Sequence, residues 1–156
     1  VTLTRIEQLI NKTNQFNLTT KRYTSAEIIK LIHDGGKVYW LSASDRYGDN
    51  GIVGVMILVK IEPQVWLIDT MLLSCRVIGR KIETVFLAEI MEILRSEGAD
   101  FIYGSYLPTK KNVIVSDLYS KHSFELSDKE NNMWKFNLNK NHIVKLNYIK
   151  VSINND

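Results

Sequence analysis

Three cations crowd one short turn, where a predicted strand leads into a predicted helix. Arg76, Arg80 and Lys81 flank Gly79 in the run RVIGRK. The first turn of a helix carries backbone N–H groups without partners inside the helix, and the helix dipole makes that end positive. A helix start with added cations favours a phosphate-bearing ligand. The alternative is a capped helix start whose cations are only solvated.

The single cysteine lies in the same turn. Reactive cysteines sit beside cations and helix starts, as Cys75 does, but a nucleophilic thiol also needs a base. His33, His122 and His142 are all far from it in sequence. We therefore interpret Cys75 as a small residue packed at the end of a strand. The three histidines and one cysteine show no metal-ligand spacing, so we expect no metal.

Composition and charge narrow the function classes. The chain has 156 residues, of which 45% are hydrophobic and 24% charged, which is typical of one globular domain with a real core. The net charge of +3 is mild and no long basic block occurs, so a nucleic-acid partner is not expected. One cysteine fits a reducing, cytoplasmic location, and no apolar run is long enough for a membrane span. Because the chain begins with Val1, we expect it to be cut from a longer protein.

The first half predicts two helices and a β-meander. Patterns typical of capping boxes begin at Thr4 and at Thr24, and the pair Gly35-Gly36 is expected to stop the second helix. Three strand-like runs follow, at residues 38–44, 52–61 and 65–73. The run DNG at residues 49–51 predicts the turn between the first two strands. Short connections make neighbouring strands antiparallel.

The second half predicts a crossover and a closing hairpin. An amphipathic helix from Ile82 to Glu97 separates strand 65–73 from a buried strand at 100–105, which indicates a parallel βαβ unit. We then predict a short helix over residues 113–121 and a hairpin of residues 124–126 and 133–138. Residues 143–153 alternate as an added strand, with a bend near residues 148–149. The fold class is therefore α/β (α+β), a mixed and mostly antiparallel central sheet flanked by helices.

The order of these elements, with a basic turn after the third strand of the meander, resembles the GNAT acyltransferase fold. The phosphate turn of that family reads Gln/Arg-x-x-Gly-x-Gly/Ala. Arg76 and Gly79 match it, and Lys81 stands where Gly or Ala is usual. A second family landmark is an Asn, a Tyr and a Gly-Phe pair. Asn112 and Tyr119 match here, but a serine replaces the glycine before Phe124.

Four segments are also similar to the C-terminal GNAT-like half of FkbH-like proteins. They are residues 12–20, 45–51, 74–80 and 108–112. This resemblance implies a GNAT-like domain over residues 1–140 and a C-terminal extension over residues 141–156. It also implies two partners, a HAD-like domain in the same chain and an acyl carrier protein that receives a glyceryl unit.

The resemblance implies a ligand and the residues that hold it. The ligand would be coenzyme A or the phosphopantetheine of a carrier protein, bound as an acyl thioester. Backbone groups of the third meander strand would pair with the pantetheine arm, and the basic turn would take the phosphates. The implied binding residues are Met71, Leu72, Leu73, Arg76, Val77, Gly79, Arg80, Lys81 and Asn112.

Acyl transfer needs an acid for the leaving thiolate and a base for the nucleophile. By position in the family, Tyr119 is the candidate acid; the alternative is a tyrosine that packs its ring under the sheet. Asp69 and Glu62 are candidate bases, although either can be a simple surface carboxylate. Glu83 lies in the first turn of its helix, where it can accept the free amides. The polar run at residues 12–20 either lines an acceptor site or satisfies the backbone of its own loop.

Three functions remain open from the sequence. The first is acyl transfer from a thioester, as part of an FkbH-like protein of secondary-metabolite or glyceryl-carrier-protein biosynthesis. The second is a non-catalytic module that docks a carrier protein for a HAD-like domain. The third and weakest is an RNA-modifying acetyltransferase, whose sign would be salt-sensitive RNA binding.

Overall fold

Seven strands form one mixed sheet in the computed structural model, which describes residues 2–45, 48–146 and 152–155. The order across the sheet is β5-β6-β4-β3-β2-β1-β7. The strands are β1 (Lys37–Asp45), β2 (Gly48–Glu62), β3 (Val65–Leu73), β4 (Phe101–Ser105), β5 (Glu125–Asp128), β6 (Met133–Asn137) and β7 (Ser152–Asn155). The helices are α1 (Thr2–Lys12), α2 (Ser25–His33), α3 (Ile82–Ser96) and α4 (Leu118–Lys121), with 3-10 turns at Cys75–Val77 and Val113–Val115.

The pairing confirms the predicted mixed, mostly antiparallel sheet. β1, β2 and β3 form the antiparallel meander, and β4 runs parallel to β3 after the crossover through α3. The predicted closing hairpin is β5 and β6, and β6 pairs antiparallel with β4. A parallel neighbour requires a long crossover, and α3 provides it.

Helices cover both faces of the sheet because side chains alternate along each strand. Val55 and Ile57 of β2 point to the face covered by α1 and α2, where Ile10 and Ile28 are fully buried. The intervening Met56 joins the larger cluster on the opposite face. That cluster contains the buried residues of α3 and α4, including Phe86, Ile90, Leu118 and Tyr119.

Of the two predicted capping boxes, one is present in the structure and the other is not. The box at Thr24 is confirmed, because its side chain accepts from the amide of Glu27 and the Glu27 side chain accepts from the amide of Thr24. The box at Thr4 is wrong, because α1 already contains Thr2 and so encloses Thr4. The glycine stop is confirmed: α2 ends at His33, and Gly35 has a φ of +97°.

The predicted turn at residues 49–51 is wrong. Asp49 already pairs with Ser44 inside the β1–β2 ladder. The glycine of the run, Gly51, has a φ of +67° and lies where the register of the ladder shifts. Glycine adopts a positive φ in β-bulges as well as in hairpin turns. The run DNG is therefore compatible with either structure.

Two further predictions are confirmed with changed bounds. The expected helix over residues 113–121 is a 3-10 turn followed by the four-residue α4. The added strand is β7, which pairs antiparallel with β1 at the edge of the sheet, although residues 143–146 are not part of a strand. The predicted bend at residues 148–149 lies outside the described part of the chain. The division of the chain at residue 140 stays a prediction.

Candidate functional site

β3 and β4 part in the middle of β3. Their parallel pairing runs from Val65 to Ile68 and stops there. Asp69 follows as a bulge, because the β2 partners of Ile68 and Thr70 are consecutive residues. Beyond the bulge, the edge of β3 that faced β4 is free of that strand. A parted edge of this kind presents backbone N–H and C=O groups to whatever lies alongside.

Residues 16–18 lie on that parted edge, and we call them the inserted segment. The amide of Leu18 donates to the carbonyl of Met71 over 3.0 Å, and the amide of Leu73 donates to the carbonyl of Phe16 over 3.0 Å. On the other side, the amide of Leu107 donates to the carbonyl of Leu18 over 2.8 Å. The inserted segment is therefore hydrogen-bonded both to β3 and to the chain that leaves β4.

Asn112 ties the inserted segment to the loop after β4. Its Nδ2 donates to the carbonyls of Asn17 and Leu107 over 2.9 and 3.0 Å. Its Oδ1 accepts from the amide of Thr109 over 2.8 Å. The side chain is fully buried, so both ends of the amide are satisfied inside the protein. The predicted role of Asn112 in ligand binding stays a prediction.

The side chains of the inserted segment explain why it stays in place. Phe16 and Leu18 are buried in the core cluster shared with α3 and α4. Asn17 is also buried, and its Oδ1 accepts from the amide of Thr20 over 2.9 Å. Its Nδ2 donates to the carbonyl of Thr13 over 3.2 Å. Here the polar run satisfies its own loop backbone, one of the two readings that the sequence left open.

Asp69 is engaged in an ion pair. Its Oδ1 lies 2.6 Å from the Nζ of Lys21, and its Oδ2 accepts from the hydroxyls of Tyr23 over 2.6 Å and of Thr70 over 3.1 Å. Only 6% of Asp69 is exposed. Sequence reasoning missed Lys21 and Tyr23. The one available signal was their alternate spacing after the polar run, which points both side chains the same way.

The carboxylate of Asp69 changes the pKa of its neighbour Tyr23. Burial raises the pKa of Tyr23, and the hydrogen bond to Asp69 raises it further because the carboxylate opposes a phenolate beside it. Tyr23 therefore stays a hydrogen-bond donor to Asp69 at neutral pH.

Tyr119 lies under the sheet. Its ring stacks at 5.0 Å from that of Phe124 and covers Gly104, where an added Cβ would come within 2.3 Å of the ring. Its hydroxyl lies 3.5 Å from the carbonyl oxygen of Ser105, which is a weak hydrogen bond. Burial raises the pKa of Tyr119, and the charge of Asp69 raises it further. The residue is thus a packed core tyrosine in this structure, and its role as an acid stays a prediction.

The basic turn opens α3 without a capping side chain. Gly79 has a φ of +89°, and Lys81, at the N-cap, has a φ of +60° in the left-handed region. Arg76, Arg80 and Lys81 are exposed. An uncapped helix start surrounded by exposed cations suits an external anion. Whether the turn, with Val77 buried at its centre, takes a phosphate stays a prediction.

The two other candidate carboxylates, Glu83 and Glu62, lie in different surroundings. Glu83 was expected to accept the amides of the helix start, but its Oε2 is buried without a hydrogen-bond partner in the protein. Glu62 ends β2 with an exposed side chain, as the simple surface reading of that residue expects.

A cavity of about 350 Å³ adjoins the basic turn. It lies between the end of α1 and the 3-10 turn that precedes α3. Its polar wall includes Lys12, Asn14, Gln15 and Ser74, and its apolar wall includes Phe16 and Ile78. Cys75 is exposed and also lines it. The volume falls at the low end for small-molecule sites. The structure thus brings the polar run of residues 12–16 beside the basic turn.

His122 ties α4 to the first turn of α3. Its Nδ1 lies 2.7 Å from the carbonyl oxygen of Leu118, and its Nε2 lies 2.8 Å from the Oγ1 of Thr84. A carbonyl can only accept, so Nδ1 donates to Leu118, and Nε2 shares a hydrogen bond with the Thr84 hydroxyl. His122 is buried and acts here as a structural link, a role that its sequence context did not indicate.

The described residues contain neither a group of metal-ligating side chains nor a membrane-spanning helix. No three His, Cys, Asp or Glu side chains in these ranges come together as a metal site. Within the same ranges, no helix has the length and apolar content to cross a bilayer.

Comparisons by sequence find no relative. No protein-family model matches this chain, and no curated protein matches it.

Comparisons by structure do find similar folds. A GNAT-family acetyltransferase from Staphylococcus aureus Mu50 has a TM-score of 0.59 at 18% identity, over 73% of this chain and 75% of that one. The GNAT-family N-acetyltransferase YhbS from Escherichia coli, in complex with coenzyme A, has a TM-score of 0.59 at 16% identity, over 87% and 76%. The aminoglycoside acetyltransferase AAC(6')-Ib, in complex with coenzyme A, has a TM-score of 0.61 at 16% identity, over 86% and 88%.

The chain therefore has the fold of GNAT acetyltransferases, as the resemblance in its sequence implied. At these identities the similarity establishes the fold and leaves the activity open. The narrower resemblance to FkbH-like proteins stays a prediction.

Proposed function

We propose that this domain binds an acyl thioester through its pantetheine arm, supplied by acyl-CoA or an acyl carrier protein, for acyl transfer within a larger FkbH-like protein. The observation that carries the proposal is the parting of β3 from β4 directly before an uncapped, basic helix start. Two of the similar structures contain coenzyme A. A parted strand edge suits an extended arm, and the helix start suits its phosphate.

The basic turn is the part of the site best prepared for a ligand. Coenzyme A and a loaded carrier protein share a phosphate and a pantetheine arm, so one turn serves both. Backbone amides in the first turn of α3 would donate hydrogen bonds to the phosphate oxygens, with Arg76, Arg80 and Lys81 as nearby counter-charges. The cavity beside the turn offers room for an acceptor next to Ser74 and the polar wall of residues 12–16.

Transfer would proceed by attack of an acceptor on the thioester carbonyl. The new bond forms at the carbonyl carbon, the C–S bond breaks, and the proton that the acceptor loses balances the proton that the departing thiolate takes. Neither candidate proton carrier is free in this structure. Asp69 holds Lys21 and Tyr23, and the Tyr119 hydroxyl faces the carbonyl of Ser105. Transfer by this domain would therefore depend mainly on positioning the two reactants.

A second function has specific support. The engaged state of Asp69 and the occupied edge of β3 favour a non-catalytic module that docks a carrier protein for a HAD-like domain in the same chain. The basic turn would then meet the acidic surface or the phosphate of the carrier protein. Electrostatic complementarity of this kind mainly sets the rate and specificity of association.

The test of the binding proposal is thermal unfolding with and without coenzyme A. A ligand at one hundred times its Kd stabilises the native state by about 2.7 kcal/mol. For a chain of this size that corresponds to a rise in Tm of roughly 5–10 °C. We expect Arg76→Ala and Arg80→Ala each to reduce the rise, because each removes a phosphate counter-charge.

Lys140→Ala is the matched control, because it removes an exposed cation outside the turn. The same measurement with holo acyl carrier protein covers the second source of the arm. If neither ligand shifts the Tm of the wild-type protein or of the Asn112→Asp variant described below, the proposed function is wrong.

A further inference from the structure

An extended arm that binds along β3 needs particular backbone groups. Beyond the bulge at Asp69, the carbonyl of Met71 and the amide of Leu73 point away from β2, toward the inserted segment. The alternate residue Leu72 is opposite Val55 of β2. These two groups are among those that the parted edge offers to an extended ligand.

Both groups are already used within the chain. The carbonyl of Met71 accepts from Leu18, and the amide of Leu73 donates to Phe16. The far side of the inserted segment pairs with Leu107 of the chain that leaves β4. The inserted segment thus fills the groove between β3 and that chain. Residues 16–18 thus make the hydrogen bonds that an extended ligand would make.

We infer that the inserted segment is the resident occupant of this groove and excludes a pantetheine arm from the edge of β3 until the segment withdraws, with Asn112 as the residue that holds it. The inference rests on the proposed function, because it concerns access to the same site. Asn112 is a positioning residue here: it contacts the carbonyl of Asn17 and would not touch the reacting atoms.

Burial gives this exclusion its strength. Withdrawal would expose Phe16 and Leu18, which are 6% and 0% exposed. Burying one such side chain changes an equilibrium constant by roughly ten- to a hundredfold. Since the apparent affinity of a ligand falls by the fraction of competent protein, withdrawal weakens binding at this edge by about a hundredfold to ten-thousandfold. The hydrogen bonds of Asn112 add to the cost.

An ordinary surface loop does not account for the segment. Surface loops leave their backbone to water, whereas Leu18 is hydrogen-bonded at both its amide and its carbonyl. Asn112 reaches it from 95 residues away in the sequence. The segment is therefore built into the core, with Asn17 opposite Leu72 in a single antiparallel bridge.

The first test is amide hydrogen exchange on the wild-type protein, which needs no variant. We expect the amides of Leu18 and Leu73 to exchange as slowly as that of Ser74, which donates to Val53 directly after the end of the β2–β3 ladder. If Leu18 and Leu73 exchange as fast as the amide of the exposed residue Lys110, the segment does not occupy the groove and the inference is wrong.

The second test is Asn112→Asp. The substitution keeps the shape and the acceptor for Thr109, and it places a carboxylate oxygen against the carbonyls of Asn17 and Leu107. We expect exchange at Leu18 and Leu73 to accelerate at least tenfold while the amides of α3 are unaffected. We also expect the Kd for coenzyme A, measured by calorimetry, to fall at least tenfold.

Asn11→Asp is the matched control. Asn11 also donates its Nδ2 to two backbone carbonyls, those of Glu7 and Tyr23, but it is exposed and makes no contact with the groove. It should change neither exchange at Leu18 nor the Kd.

The outcomes separate the inference from the proposed function. If Asn112→Asp frees the segment and no form of the protein binds coenzyme A, the inference stands and the proposed function fails. If the wild-type protein binds coenzyme A at micromolar concentration while Leu18 stays protected, the ligand does not need the edge and the inference fails. Unchanged exchange in Asn112→Asp also overturns it.

Discussion

The carboxylate of Asp69 shows how this chain uses a residue that looks catalytic. Lys21 and Tyr23 reach it from the extended stretch after the inserted segment, and Thr19 donates its hydroxyl to the Asp69 carbonyl over 2.8 Å. Residues 19–23, which directly follow the inserted segment, therefore hold the bulge at Asp69 in place. A buried carboxylate with these partners stabilises the loop, and removing its charge would leave Lys21 without its ion pair.

The raised pKa values of the buried tyrosines predict a loss of stability at alkaline pH. The pKa of Tyr119 is raised by burial and by Asp69, so the folded-state value exceeds the unfolded value near 10. The native protein then binds more protons than the unfolded chain above that pH. The stabilisation is complete below about pH 10 and is lost as the pH rises toward the folded-state pKa. We expect the free energy of unfolding to fall by up to about 1.4 kcal/mol per pH unit from Tyr119 alone.

Urea denaturation at about pH 9 and about pH 11 measures this fall, since the unperturbed tyrosine value lies between them. Tyr119→Phe keeps the ring and removes the ionisable group, so its slope against pH should be shallower than that of the wild-type protein. Equal slopes in the two proteins would show that Tyr119 does not contribute.

At the scale of elements, α1 and α2 show the limit of a capping signal. Both stretches contain Thr followed three residues later by Glu, yet only Thr24 is an N-cap. The pattern is the same, but α1 extends past Thr4 to Thr2. Ile6 and Ile10 are buried against the sheet, so packing stabilises α1 in addition to its local sequence.

This difference yields a paired prediction. Thr24→Ala removes a side-chain cap and should lower the free energy of unfolding by about 1 kcal/mol. Thr4→Ala places a better helix former inside α1 and should leave stability unchanged or raise it by a few tenths of a kcal/mol, within about 0.5. Urea unfolding of the two variants and the wild-type protein measures both effects. A loss of equal size in Thr4→Ala would show that Thr4 is an N-cap after all, as the sequence predicts.

At the scale of the whole molecule, the two candidate functions share one architecture. The basic turn, the cavity and the groove lie at the same end of β3, next to the parting from β4. Acyl transfer needs the groove or the cavity to hold a reactive thioester, whereas docking needs only the charged surface. Because the inserted segment occupies the groove, a variant that frees the segment should affect acyl transfer but not docking.

An assay of this domain with acyl-CoA and acyl carrier protein separates the two functions. Direct transfer predicts turnover. A fall of about 10²- to 10⁴-fold in Tyr119→Phe would identify Tyr119 as the acid, and unchanged turnover would agree with catalysis by positioning. Docking predicts carrier-protein binding that weakens with added salt, no turnover, and no effect of Tyr119→Phe on binding. Asn112→Asp belongs in the same assay, because turnover that appears only in this variant would identify the inserted segment as the barrier.

Local signals in the sequence determined most of the elements. The capping box at Thr24, the glycine after α2, the limits of β3 and the start of α3 at Ile82 all follow from side chains within a few residues of each boundary. The alternation of apolar residues and the basic turn were enough to indicate a mixed sheet of the GNAT type. Such features are readable because periodicity and capping act over a turn or a strand.

Only the tertiary structure decided how the candidate site is occupied. Asn17 and Asn112 are 95 residues apart, and Thr19 and Asp69 are 50 apart, so no local pattern pairs them. The resemblance to GNAT proteins implied roles in acyl transfer for Asp69, Tyr119 and Asn112. The sequence left open whether the polar run at residues 12–20 lines an acceptor site or satisfies its own backbone, since a polar group is satisfied equally well by either. Folding resolved that choice by burying Phe16 and Leu18 and placing their backbone on the edge of β3.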